Sequence, residues 1–171
     1  LFDSGRVPQI LEEAFDAAAS HAMARVEGLF DACSPLAETR IHGDLHAGNI
    51  LWTDDGPVVM DFDDCATGPA LADLWMFLSG DREEQTPQLE ALLEGYTAFR
   101  PFDARELHLV EALRSLRIMH YAAWLARRWD DPAFMIAFPW FDSRRYWDEH
   151  VLALREQVAL MQEAPLEWRD F

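Results

Sequence analysis

Between Arg40 and Asp64 the chain reads RIHGDLHAGNILWTDDGPVVMDFDD, and no other stretch limits the fold as tightly. Ile50-Leu51-Trp52 and Val58-Val59-Met60 are short β-prone runs. Thr53-Asp54-Asp55-Gly56-Pro57 separates them as a turn-rich loop of hairpin length. The pattern predicts an antiparallel pair. In the simplest register Trp52 faces Val58, Leu51 faces Val59, Ile50 faces Met60, and Asn49 meets Asp61 at the open end, with opposed residues roughly 5 Å apart.

Asp44 lies five residues before Asn49 on an irregular Gly43-to-Gly48 loop, close enough to curl over the same mouth. Two carboxylates within roughly 5 Å repel by about 3 kcal/mol at an effective dielectric near 20, so a cation is expected there. A few oxygen ligands suit Mg²⁺, which keeps several waters and usually takes one or two carboxylates plus substrate phosphates. Phosphoryl transfer is the chemistry such a site implies.

His42-x-Asp44-x-x-x-x-Asn49, then an apolar hairpin and Asp61-Phe62-Asp63, resembles the catalytic loop and metal-binding segment of protein kinases and of the aminoglycoside and choline kinase-like families. The resemblance implies Asp44 as catalytic base, Asn49 and Asp61 as the Mg²⁺ and nucleotide ligands, and His42 as a structural brace. It also implies that Asp73, an acid inside an otherwise apolar helical segment, holds the catalytic-loop backbone. HGD in place of the usual HRD, and DFD in place of DFG, favour the aminoglycoside kinase-like branch. Further on, GPALADLWMFLSGDREEQ, QLEALLEGYTAF, AWLARRWDDPAF and FPWF are similar to the bacterial stress response kinase A family. That likeness covers most of Ile41 to Leu166 and implies Ser/Thr acceptors on proteins. It further implies a mainly helical α+β fold, the C-terminal large lobe of a kinase-like protein, with a small antiparallel hairpin carrying the metal ligands.

Composition narrows the setting. A chain of 171 residues that is 50% hydrophobic, with 7 Trp and 11 Phe, can bury roughly 70% of its unfolded surface, so one domain is expected. No apolar run approaches the roughly 20 residues of a membrane span, and LFDSGRVPQI is no signal peptide. Cys33 and Cys65 show neither CxxC nor zinc spacing, so a reduced, cytoplasmic setting is expected. A net charge of -17 argues against nucleic-acid partners and favours a neutral or basic acceptor. All 14 basic residues are Arg. Kinase-like enzymes hold the nucleotide phosphates with a lysine and a Gly-rich loop from the small lobe. Neither is present, and the chain opens on Leu. The expectation is therefore a C-terminal lobe, residues 1–171, whose N-terminal nucleotide-binding lobe lies outside this chain and which transfers phosphate poorly alone.

Along the chain, Leu11, Phe15, Ala18, Ala22, Val26 and Leu29 predict an amphipathic helix from Val7 to about Asp31, opened by Pro8 and ended by Ser34-Pro35. Thr39 to Ile41 reads as extended, Asp63 to Pro69 as a loop closing the site, and Ala70 to Leu78 and Glu83 to Phe99 as helices. Asp103-Ala104-Arg105-Glu106 fits a capping box, with Glu106 reaching back, ahead of a helix to about Trp129 that Asp130-Asp131-Pro132 stops. Phe134 to Phe141 reads as aromatic and irregular, either core or an acceptor-binding wall. Asp142-Ser143 can cap a last helix through Gln162.

Other chemistries fit less well. Val58 to Asp64 also resembles the first motif of haloacid dehalogenase-type phosphatases, but those need alternating parallel strands and helices, and the residues after Asp64 read almost entirely as helix. Asp44-x-His46 lacks the further histidines of a metallophosphoesterase. His42 and His46 are a poor helical zinc pair across Gly43, Gly43-x-x-x-x-Gly48 is no P-loop, and no GxSxG elbow is present. A small-molecule kinase acting on a cationic alcohol, and a non-catalytic acidic binding module, remain as alternatives to a protein kinase.

Overall fold

A computed structural model describes residues 7–168, which divide into two compact units: 7–30 with 111–163, and 31–110 with 164–168.

The first unit is helical. Helix α1 (Glu12–Cys33) follows a short 3₁₀ turn at Gln9–Leu11 and has Glu12 and Glu13 in its first turn, where acids favour the helix dipole. Phe15, Ala18, Ala22 and Val26, spaced by three and four, are buried as the periodicity predicts, and Ala19 is buried beside them. Helix α4 (Val110–Arg128) and helix α6 (Arg144–Leu160) contribute Ala112, Ala122, Leu125, Trp147, Val151, Leu154 and Val158 to the same core. Ser143 caps α6, its Oγ accepting from Tyr146 N at 3.2 Å. Phe15, Phe141 and Tyr146 surround the fully buried Trp147 with ring centroids 5.2–5.6 Å away. The segment read as irregular is partly helical, because Asp131 caps Ala133 N at 2.9 Å and Pro132 opens helix α5 (Pro132–Ala137). The Asp-Asp-Pro that ends α4 therefore also starts its successor.

The second unit carries four short strands in two separate antiparallel ladders. Strand β1 (Thr39–Ile41) pairs with β4 (Ala66–Gly68), Arg40 opposite Thr67; β4 falls within the segment expected to be loop. Strand β2 (Ile50–Thr53) pairs with β3 (Gly56–Val59) in the expected hairpin, but with a different register. Ile50 faces Val59, Leu51 faces Val58 and Thr53 faces Gly56. The turn is only Asp54-Asp55, the tighter and preferred hairpin length, because Gly56 takes φ +113 and joins the ladder. The slip of one residue puts Met60, not Asp61, beside Asn49, and Met60 N donates to Asn49 O at 2.9 Å.

Helix α2 is a single turn (Leu71–Leu74) continued by a 3₁₀ turn at Trp75–Phe77, shorter than the expected helix. Helix α3 (Arg82–Thr97) begins with a capping box that the sequence pattern did not single out. Asp81 accepts from Glu84 N at 3.0 Å, and Glu84 accepts from Asp81 N at 2.9 Å. The box expected at Asp103 forms only in part. Asp103 accepts from Arg105 N at 3.0 Å ahead of a 3₁₀ stretch at Ala104–Leu109, but Glu106 turns elsewhere. Residues 164–168 return to this unit: Arg82 donates to the Ala164 carbonyl at 2.6 Å and also to that of Pro165, and Trp168 meets Phe102 edge-on.

Candidate active site

Strand β1 delivers the chain into His42, and two side chains fix the loop beyond it. Asp73, on α2, accepts from His42 N at 2.7 Å through Oδ2 and from Gly43 N at 2.9 Å through Oδ1. A half-buried carboxylate taking two backbone donors is the arrangement that removes its desolvation cost. Asp73 thus ties α2 to the loop backbone at His42 and Gly43.

His42 is buried, and its Nε2 lies 2.8 Å from Met60 O, so that nitrogen carries the proton. Its Nδ1 then faces Asp44 N at 3.4 Å. The ring packs 4.8 Å from that of Phe62. His42 therefore ties the loop before Asp44 to the residue before Asp61.

Gly43 explains its own departure from HRD. Its φ is +86, and a β-carbon there would sit 2.2 Å from the Asp64 carbonyl oxygen. The loop and the Asp63-Asp64 turn touch backbone to backbone, and no side chain fits between them.

Asn49 closes the loop. Its Nδ2 donates to Asp44 O at 2.9 Å while its own carbonyl accepts from Met60 N. Asp44, Asn49 and Met60, the residue before Asp61, are thereby linked through consecutive hydrogen bonds at the open end of the hairpin. Asp61 has φ +63, the one non-glycine with positive φ among the described residues. Such a conformation costs on the order of 1 kcal/mol and persists where the surroundings impose it, often at functional sites.

The sequence offered His46 as a metal ligand, in a phosphoesterase or zinc pattern, and disfavoured both; the structure gives it a hydrogen-bonded place in the loop. Its Nδ1 accepts from Gly48 N at 3.0 Å, capping the 3₁₀ turn at Ala47–Asn49, which leaves the proton on Nε2. That nitrogen lies 3.8 Å from Asp44 Oδ2. A β-carbon on Gly48 would fall 2.7 Å from the imidazole Cε1, so the glycine makes room for the ring. The signal available in the sequence was the spacing, a histidine two residues after the acid and a glycine two residues after that.

The donor set fits a cation that takes few protein ligands. Asp61, Asp63 and Asp64 are exposed and make no ion pair among the described residues. Asn49, with its amide nitrogen committed to Asp44 O, keeps Oδ1 as the acceptor end. No three His, Cys, Asp or Glu side chains among the described residues form a denser metal cluster. A carboxylate and an amide oxygen are donor types that Mg²⁺ could take, with water and phosphate filling its other positions.

A mainly helical α+β chain with such a loop, followed by a short antiparallel hairpin, has the architecture of the large lobe of kinase-like phosphotransferases. The chain belongs to the phosphotransferase enzyme family, whose model matches residues 2–110. It is similar to stress response kinase A of Escherichia coli O157:H7, 44% identical over 165 residues, covering 96% of this chain and 49% of that protein. It is also 48% identical over 132 residues to stress response kinase A of Salmonella choleraesuis and to serine/threonine protein kinase RdoA of Salmonella typhimurium (strain LT2), in each case covering 77% of this chain and 40% of the relative. The chain thus spans about half the length of the curated relatives it matches. No helix among the described residues is long and apolar enough to cross a membrane.

Proposed function

We propose that the full-length protein transfers the γ-phosphoryl group of ATP to a Ser or Thr hydroxyl on protein. The carrying observation is the hydrogen-bonded run from Asp44 through Asn49 to Met60, which holds a half-buried acid and two potential ion ligands at one end of the hairpin. In this reading Asn49 Oδ1 and the Asp61 carboxylate would hold Mg²⁺. When bound, the ion neutralises and aligns the phosphate oxygens. Asp44 orients the acceptor hydroxyl. As that oxygen bonds to the γ-phosphorus and the bond to the β–γ bridging oxygen breaks, ADP leaves and the hydroxyl proton passes to the Asp44 carboxylate. His42 and Asp73 touch no reactant and keep the loop in place.

The same reading assigns the phosphate-holding lysine and Gly-rich cover to a small lobe outside these residues. It is supported by the lack of any Lys and by relatives about twice as long. The exposed Leu51, Trp52, Val58 and Val59 of the hairpin, with Phe62 just after it, give a nucleotide base or that lobe an apolar surface to cover. Two free cysteines, Cys33 buried and Cys65 exposed, fit a reducing cytoplasm. The acidity of the site also supports a second acceptor class, a small cationic alcohol of the aminoglycoside or choline type. A dehalogenase-type phosphatase is disfavoured, because every ladder among the described residues is antiparallel.

The test uses the full-length protein. Asp44→Ala should lower kcat by about 10²- to 10⁴-fold while sparing nucleotide binding. Asp61→Ala should weaken Mg²⁺-dependent nucleotide binding by calorimetry. Undiminished transfer in both variants rejects the assignment. Phosphate transfer to the protein itself, to generic protein acceptors and to aminoglycosides separates the acceptor classes, and no Mg²⁺-dependent nucleotide binding at all would favour an acidic binding module.

A further inference from the structure

Helix α2 carries Asp73 and has only a few local backbone bonds to hold it, among them Ala72 N to Pro69 O at 3.1 Å and Asp73 N to Ala70 O at 3.2 Å. It is one turn of four residues, far too short to be stable by itself, and Ala70 at its N-cap offers no side-chain hydrogen bond. The missing cap arrives from 35 residues away. Glu106 Oε2 accepts from Leu71 N at 2.8 Å, and the Ala70 amide also faces the carboxylate. Glu106 is only 2% exposed and Leu71 is fully buried. A carboxylate in such a place is costly unless backbone donors satisfy it, and burial pushes its pKa upward even so. An amide or a hydroxyl could cap the turn with less desolvation.

From Glu106 the bonds lead directly to the site. Leu71 begins the turn, and Asp73, two residues on, holds His42 N and Gly43 N, the two positions before Asp44. His42 in turn holds Met60 O, the position before Asp61.

We propose that Glu106 is a positioning residue for the active site. By capping α2 it sets the placement of Asp73, and through Asp73 and His42 it sets the backbone carrying both Asp44 and Asp61. The inference rests on the kinase reading for its kinetic consequence but not for its structural one.

The experiment uses the full-length protein with Glu106→Ala and Glu106→Gln. Two readouts are taken: amide hydrogen exchange by mass spectrometry, and kcat against KM for ATP. Losing the buried acceptor in Glu106→Ala should speed exchange about tenfold in peptides covering residues 39–49 and 70–74, with α3 and α6 unchanged. It should lower kcat by a similar factor while KM for ATP moves less than about threefold. Glu106→Gln keeps one amide oxygen for Leu71 N and should recover most of both losses, which also keeps the test usable if the alanine variant does not fold. Unchanged exchange in residues 39–49 overturns the proposal. So does an equal rise across α3 and α6, which would make Glu106 a general stabiliser. If the wild-type protein transfers no phosphate, the kinase reading fails, and the exchange pattern still decides the role of Glu106.

Discussion

Trp147 and Trp52 are the same residue type in opposite circumstances. Trp147 is fully buried among Phe15, Phe141 and Tyr146, whereas Trp52 stands 75% exposed on the hairpin, with Leu51 and Phe62 also exposed. The helical unit is held by shape, with rings and small alanines filling space around each other. The unit bearing the candidate site is held, at the site itself, by side chains gripping backbone: Asp73 on His42 and Gly43, Asn49 on Asp44, His46 on Gly48, Glu106 on Leu71. Volume changes should therefore damage the first region, and loss of single polar atoms the second.

The sharpest way to break this contrast is to make one substitution in both places. Trp147→Ala should destabilise the full-length protein by about 3–5 kcal/mol in chemical denaturation. Its Nε1 has no hydrogen-bond partner among the described residues, so the loss is one of packing. A smaller effect comes from acid. His150 is buried against Phe15, Tyr146 and Trp147, and burial holds its pKa down to about 4, below the ordinary 6.5. Because the unfolded chain takes up a proton that the folded one refuses, this site favours folding fully above pH 6.5. That contribution is lost as pH falls towards 4, up to about 3 kcal/mol. His150→Phe should flatten that part of the stability–pH curve, and an unchanged slope would show that burial at His150 is not its source. The smallest change is expected from Trp52→Ala, within about 0.5 kcal/mol in stability. A measurable rise in KM for ATP with that variant would show that the exposed hairpin serves binding, and a large loss of stability would mean that the two regions are not held differently.

Much of this was readable from the chain because its signals are local. The histidine, the two acids and Asn49 sit within one short loop and a hairpin, and the amphipathic helices repeat their apolar residues at a fixed period. What escaped depends on partners distant in sequence or on a single glycine. The ladder between β1 and β4 joins three-residue strands with no alternation to detect. The hairpin register turned on Gly56 entering the ladder, not on the composition of the loop. Glu106 had a plausible local partner in Asp103 and took a remote one, because the uncapped turn at Leu71 was the greater need. His46 was weighed only as a metal ligand because one histidine in a loop carries no periodic signal; its bond from Gly48 N and the space that Gly48 leaves show its place.

Gly43 bears on how such a protein could be controlled. Many protein kinases are switched when a phosphorylated activation loop is caught by arginine. Here the position next to Asp44 presses against the Asp64 carbonyl, so an arginine could be installed only by rebuilding the neighbouring turn as well. A single substitution cannot place that kind of latch beside Asp44, because the clash is with backbone and not with a side chain that could swing aside.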